Sequence, residues 1–171
     1  VEQGRNFSNK IWNAFRLVKN WEVSNTIEQP KSAALAIEWY DAKLNQTIAL
    51  MDDHFTKFRI SEALMTVYTV FWQEFSSWYL EAIKPAYQQP IDAKTYAKTL
   101  EFFDKMLKLL HPFMPFITEE IWQAIEERKD GESIMVTLLP AIEPVNEALL
   151  NKFELCKEAI SGVRTIRKEK N

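Results

Sequence analysis

The sequence predicts an all-α fold: an antiparallel helical bundle with a short extended excursion and a final helix that leaves the bundle. Apolar residues recur at three- and four-residue spacing over long stretches, the period of an amphipathic helix. Glycine occurs only 3 times in 171 residues, too rarely for a fold with many tight turns or a Gly-rich phosphate loop. Prolines 30, 85, 90, 112 and 115 fall between the periodic stretches and not within them, as helix-breaking residues should.

Each element follows from its own pattern. A first helix is expected from about Gln3 to Trp21, with Phe7, Ile11, Ala14, Phe15 and Val18 as its apolar face. After a polar connection, Ser24 to Pro30, a second runs from about Ser32 to Phe55 with the stripe Ile37, Tyr40, Leu44, Ile48, Met51 and Phe55. A break near Phe58 and Arg59 precedes a third helix, Ile60 to Lys84, lined by Leu64, Val67, Phe71, Phe75, Trp78 and Ala82. Trp72 and Tyr79 lie off the centre of that stripe. Asp92 is the expected N-cap of a fourth helix, with Tyr96, Leu100, Phe103, Leu107 and Leu110 facing inward. Pro115 suits the first turn of a shorter fifth helix, whose Glu119 and Glu120 would complement its positive end. Asp130-Gly131 signals a turn, and the β-branched run "SIMVTLLP" reads as extended. From about Val145 a last helix presents Leu149, Phe153, Cys156, Ile160 and Val163 on one face. Residues 1–129 are thus expected to be the bundle, and residues 130–171 an extended segment and the start of a further helical region.

Composition narrows the function classes. An apolar content of 47% with 26% charged residues is that of a globular chain with a real core. A single cysteine, Cys156, excludes an intramolecular disulfide framework. No apolar run reaches a membrane span and no signal-peptide pattern opens the chain, so a cytoplasmic protein is expected. The chain starts at Val1 and stops within a helical pattern, and is expected to be a piece of a longer protein. Two histidines and one cysteine cannot close a structural zinc site without carboxylates, and neither His54 nor His111 follows a Glu by three residues as a di-iron bundle would require. Asp53 and His54 are adjacent on a helix and point apart, and His111 before Pro112 reads as a helix end. No catalytic set and no cofactor site is expected here. The aromatic run "VFWQEFSSWYLE" reads as core packing, not as a base-stacking platform.

The net charge of -3 mildly opposes nucleic-acid binding, but its distribution is uneven. Arg5, Lys10, Arg16 and Lys19 crowd the start and Arg164, Arg167, Lys168 and Lys170 the end, with acidic residues between them. Opposite the apolar face of the first helix stand Asn6, Asn9, Asn13, Arg16 and Asn20, flanked by Arg5, Lys10 and Leu17. Asparagine is a poor helix former, so a row of it costs stability that Glu, Lys or Gln would not. Its amide can bond a base edge while neighbouring cations hold phosphates. From the residue types, an RNA-reading face and a polar face packed on another part of the same protein are both open.

The segment "GRNFSNKIWNAFRL" resembles the opening of the anticodon-binding bundle of class I aminoacyl-tRNA synthetases, specifically the valyl enzymes. "FWQEFSSWYLEAIKP" is similar to the third-helix pattern of the same family, and "LHPFMPFITEEIW" to the segment that closes the bundle in valyl, isoleucyl and leucyl enzymes. The resemblance covers essentially the whole chain, in order, and the first string is the one particular to the valyl enzymes. It implies a non-catalytic piece of a ligase that joins valine to its tRNA with ATP and Mg; the catalytic and editing domains lie outside it. The implied partner is the tRNA for valine, with no membrane or DNA partner, and the chain is expected to be monomeric. By the resemblance Asn9 and Lys10 match positions near the anticodon bases, with Leu17 on the same ridge two turns on. Arg5, Asn6, Asn13 and Arg16 complete the expected tRNA-binding face from their residue types, and Arg164 and Arg167 belong to a basic cluster that either faces tRNA or is simply solvated. Where the family often carries an aromatic, Leu17 offers an apolar contact. An isoleucyl or leucyl enzyme is the second reading, and a helical protein-interaction module without RNA binding is the reading from a different class.

Overall fold

The computed structural model describes residues 2–170; Val1 and Asn171, the outer limits of the two expected segments, lie outside the described residues. Helix α1 spans Glu2–Lys19, α2 Lys31–Thr56, α3 Ile60–Thr69, α4 Leu80–Ile83, α5 Ala93–Leu110, α6 Pro115–Ile125 and α7 Glu147–Lys170. Residues Val70–Tyr79 continue α3 into α4 as a π-helical segment, so the three form one rod. Helix α2 is central and packs against α3, the π segment, α4, α5 and α7, while α1 packs against α6 and the π segment.

The expected apolar faces of the early helices are the buried ones. Phe7, Ile11, Ala14, Phe15 and Val18 of α1 are all buried, as are Tyr40, Leu44, Ile48 and Met51 of α2. Phe103, Leu107 and Leu110 bury the inner face of α5. Asp92 is the N-cap of α5, its carboxylate accepting the Thr95 N–H at 2.8 Å. Pro115 occupies the first turn of α6, and His111 closes α5, its Nδ1 2.8 Å from Thr118 Oγ1 across the Pro112–Pro115 elbow. The Asp53 carboxylate is taken by Lys57 at 2.5 Å, one turn along the same helix, and makes no site with His54.

Aromatic rings fill the centre. Tyr40 stands 5.0–5.2 Å, ring to ring, from Phe75, Tyr79 and Phe102. Both buried phenols keep a partner: Tyr40 donates to Met106 Sδ at 2.8 Å, and the Tyr79 hydroxyl lies 2.8 Å from Thr99 Oγ1. A two-residue parallel sheet pairs β1 (Val23–Ser24) with β2 (Ile91–Asp92), joining the end of α1 to the start of α5.

Four expectations are corrected. Ala82 is exposed, and Tyr79 and Ile83 are buried in the turns where Trp78 and Ala82 were expected. The π segment is the cause: i→i+5 bonding admits an extra residue and moves the inward face on by one. The Ser76 and Ser77 hydroxyls follow that wider register, donating to the carbonyls of Phe71 and Trp72 five residues back at 3.0 and 3.1 Å. The run "SIMVTLLP" is not a strand but a 3₁₀ turn at Ile134–Val136 with irregular flanks, because no neighbouring strand offers it a ladder. Glu119 does not serve the positive end of α6. Its carboxylate instead accepts from Ser133 Oγ at 2.7 Å and from the Ile134 N–H at 3.2 Å, pinning the excursion to α6. Desolvation, the largest single influence, raises its pKa, but bonds from Gln123, Ser133 and the Ile134 N–H together hold the carboxyl below the ordinary glutamate range. Finally, Cys156, Ile160 and Val163 are exposed. The docked face of α7 runs through Leu150, Phe153 and Lys157, and residues beyond Lys157 project from the bundle with their side chains exposed.

Candidate nucleic-acid interface

Burial of its apolar stripe turns the opposite face of α1 outward. Arg5, Asn6, Asn9, Asn13 and Arg16 are exposed along it, and Leu17 is 46% exposed. Among the described residues, the side-chain hydrogen bonds of α1 are those of Ser8 to the Gly4 carbonyl at 3.0 Å and of Lys19 to the Ile125 carbonyl at 3.1 Å. Among the described residues the asparagine amides of this face have no hydrogen-bond partner. Among the described residues the asparagine face packs against nothing, which leaves it open to RNA or to another part of a longer protein. Lys19, one of the basic residues at the start of the chain, instead bonds the last turn of α6.

Lys10 differs from its neighbours. It is half-buried, and its ammonium lies 5.0 Å from the centre of the Trp72 ring. A cation–π contact of this kind holds the charge in place with little left to order on binding. Trp72, half-buried, stacks on Tyr68 at 5.5 Å, so the platform under Lys10 is itself fixed.

Arg164 and Arg167 are exposed on α7. The Arg164 guanidinium rests 5.2 Å from the centre of the Trp78 ring. Trp72 and Trp78 both belong to the π segment, so the α1 face and the α7 cations reach the same element through different tryptophans. The structure therefore brings the α1 residues together on one helix face and keeps Arg164 and Arg167 as a separate group. The residue that places α7 was missed in the sequence. Lys157 is buried with its ammonium 2.7 Å from Glu74 and 2.8 Å from Glu154, and 5.6 Å from both the Trp39 and Trp78 ring centres. A lysine on a helix reads as solvated, and nothing local marks an ion pair between partners 83 positions apart.

The described residues hold no group of three or more His, Cys, Asp and Glu side chains arranged for a metal ion, and no helix long and apolar enough to cross a membrane. What the exposed face of α1 offers is amides, cations and an apolar side chain on one helix, groups able to meet phosphates and base edges.

Known proteins resemble this chain along its length. Valine–tRNA ligase of Phocaeicola vulgatus is 64% identical over 170 residues, covering 99% of this chain and 19% of the relative. The corresponding ligase of Parabacteroides distasonis is 62% identical over 170 residues (99% and 20%), and that of Pseudothermotoga lettingae 36% identical over 170 (98% and 19%). The chain thus spans about a fifth of the length of the curated relatives it matches. The model of the anticodon-binding domain of tRNA ligases matches residues 38–171, leaving α1 to be matched by the whole-length relatives alone. With its helical bundle matched over most of its length, this chain belongs to the anticodon-binding domain family of tRNA ligases.

Proposed function

We propose that the chain is the anticodon-binding part of a valine–tRNA ligase and grips the anticodon stem and loop of the tRNA for valine. The observation that carries this reading is the outward face of α1, where Asn6, Asn9 and Asn13 stand exposed, without partners among the described residues, beside Arg5, Lys10 and Arg16. The valine assignment, as against isoleucine or leucine, is supported by relatives whose names carry valine at 36–64% identity. In this reading Asn9, Lys10 and Asn13 read bases, Arg5, Asn6 and Arg16 support them along the ridge, and Leu17 makes an apolar contact. Arg164 and Arg167 touch only phosphates. Residues 1–129 act as the binding bundle, and 130–171 as the link to a further helical region. Valine activation with ATP and Mg belongs to other parts of a longer cytoplasmic enzyme, which acts as a monomer.

Unpaired loop bases expose their edges and faces, which is where RNA sequence is usually read. Loss of readout at one base costs about 1–3 kcal/mol by analogy with bidentate base recognition. Replacing Lys10 or Asn13 with alanine should therefore narrow the preference for a valine anticodon, whose middle base is adenine. The measurement is a binding titration of each variant against the valine tRNA, the same tRNA with its middle anticodon base replaced, and the tRNA for isoleucine. Unchanged discrimination in both variants would remove α1 as the reading face. Equal binding of all three RNAs by the unaltered chain would remove the valine assignment.

A further inference from the structure

At the C-terminal end of α1 a cleft of about 610 Å³ opens between that helix and the turn that follows α4; its walls include Leu17, Asn20, Lys84, Tyr87, Gln88 and Gln89. The geometry points to this cleft as the seat of one unpaired base of the bound RNA loop, with Tyr87 as the stacking surface. The inference deepens the RNA-binding reading above and rests on it.

Tyr87 is 89% exposed, so its ring contributes almost nothing to the core. The turn beneath it is nevertheless stiff. The Gln89 N–H donates to the Ala86 carbonyl at 2.9 Å, which places Tyr87 and Gln88 at the two central positions. Gln88 has a φ of 58°, a left-handed conformation that glycine or asparagine usually fills at that position. Pro85 and Pro90 bracket the turn and restrict it further. The turn is also tied to α1. The Ile91 N–H donates to the Glu22 carbonyl at 2.8 Å, Val23 pairs with Ile91, and Ser24 pairs with Asp92, which caps α5. The small sheet therefore fixes the tyrosine turn relative to the end of the asparagine face. A rigid, exposed aromatic on a pinned turn is a binding surface whose ordering cost is already met in the free protein.

The chemistry of the walls favours a base over a phosphate. Lys84 is paired with Glu81 at 2.6 Å, and Glu22 also borders the cleft, so little free positive charge remains there. A base has two flat faces and a polar edge. Tyr87 and the exposed side of Leu17 supply apolar surfaces for the faces, and the amides of Asn20, Gln88 and Gln89 offer donors and acceptors to the edge. Leu17 lies one turn beyond Asn13 on α1, so a loop read at Asn13 continues toward the cleft.

The test uses an anticodon stem-loop RNA carrying the fluorescent purine 2-aminopurine at each anticodon position in turn, titrated with the chain and its variants. One position should be quenched on binding. Tyr87→Ala should abolish that quenching and weaken binding about 5- to 150-fold, the range for removal of one base–aromatic stack. Tyr87→Phe should retain both, and the salt dependence of Tyr87→Ala should match the unaltered chain because the substitution touches no phosphate. The thermal midpoint checks that the Tyr87→Ala chain is folded, as its exposure implies. Unaltered affinity and quenching in Tyr87→Ala overturn the inference, as does a Tyr87→Phe loss equal to that of Tyr87→Ala. If Lys10→Ala and Asn13→Ala still lose discrimination in either case, the RNA-binding reading stands without the cleft. If the unaltered chain binds the stem-loop no better than an unrelated hairpin, both fall together.

Discussion

Asn13 and Lys157 are polar helix residues with opposite consequences for stability. Asn13 is exposed, makes no side-chain hydrogen bond and sits in a helix that asparagine disfavours. Asn13→Ala should therefore stabilise the chain slightly, by up to about 0.7 kcal/mol from helix propensity, while weakening base discrimination. A thermal melt and an RNA titration on the same preparation check it; a loss of stability would mean that the amide serves the fold. Lys157 should behave the other way. Its removal leaves the buried Glu74 carboxylate without its cation, so Lys157→Ala should cost about 3–5 kcal/mol. Changing Lys157 to Met together with Glu74 to Leu should cost much less, because no uncompensated charge remains. Denaturant midpoints of the three chains decide this, and equal losses in the single and double variants would show that packing matters there more than charge. Arg164→Ala with Arg167→Ala should leave stability unchanged and weaken every tRNA about equally. It should also lower the salt slope by about 1 for each phosphate that the removed side chains held. A change in base preference from that pair would move the reading face from α1 to α7.

Among the elements, α7 is the one whose two halves have different fates. Its first half is docked by the stacking of Phe153 on Trp39 of α2 at 4.1 Å, by the pairing of Lys157 with Glu74 of the π segment and by the burial of Leu150. Beyond Lys157 the side chains are exposed, and Arg164 over Trp78 is the contact that follows it. Amide exchange should be slow through the docked turns and fast from about Ala159 onward, because only the first half shares the stability of the core. Uniform protection along α7 would contradict that division. The N-terminus of α5 offers a second test. The Asp92 carboxylate caps the helix within the small sheet, so Asp92→Ala should cost about 1 kcal/mol, measured by thermal or denaturant unfolding. These two elements also show where sequence reading succeeds. Asp92 was legible as a cap because capping is chemistry within three residues. The docked face of α7 was not, because its stripe is interrupted by a lysine whose partner lies on the π segment. The π segment was illegible for a related reason: a wider hydrogen-bond register leaves the residue types unchanged and shifts only the faces they occupy.

At the scale of the whole molecule, stability should be level through neutral pH and fall at both extremes. Burial raises Tyr40 and Tyr79 well above the ordinary phenol value, so both stay neutral when folded while an unfolded chain would ionise them. Their contribution is complete below a pH of about 10 and is lost as pH rises beyond it. Lys157 acts in the same direction: desolvation opposes its charge, but bonds to Glu154 and Glu74 outweigh it and raise its pKa. On the acid side, Glu101 and Glu119 are held below the ordinary carboxyl range, where desolvation is outweighed by Lys98 and Lys105 for one and by Gln123, Ser133 and the Ile134 N–H for the other. Their contribution is present above a pH of about 4.3 and lost as pH falls through the folded values. Denaturant unfolding across pH checks this, and a stability maximum above pH 10 would contradict it. The helices, their apolar faces on α1, α2 and α5, the Asp92 cap and the exposed asparagine row were all readable along the chain, because each depends on spacings of three or four residues. Only the tertiary structure decided the position of Tyr87 beside Leu17, the burial of Lys157 against Glu74 and the grip of Glu119 on residues 133–134. Such contacts join positions far apart in sequence, and a pairing set by the path of the chain through space leaves no period in the order of its residues.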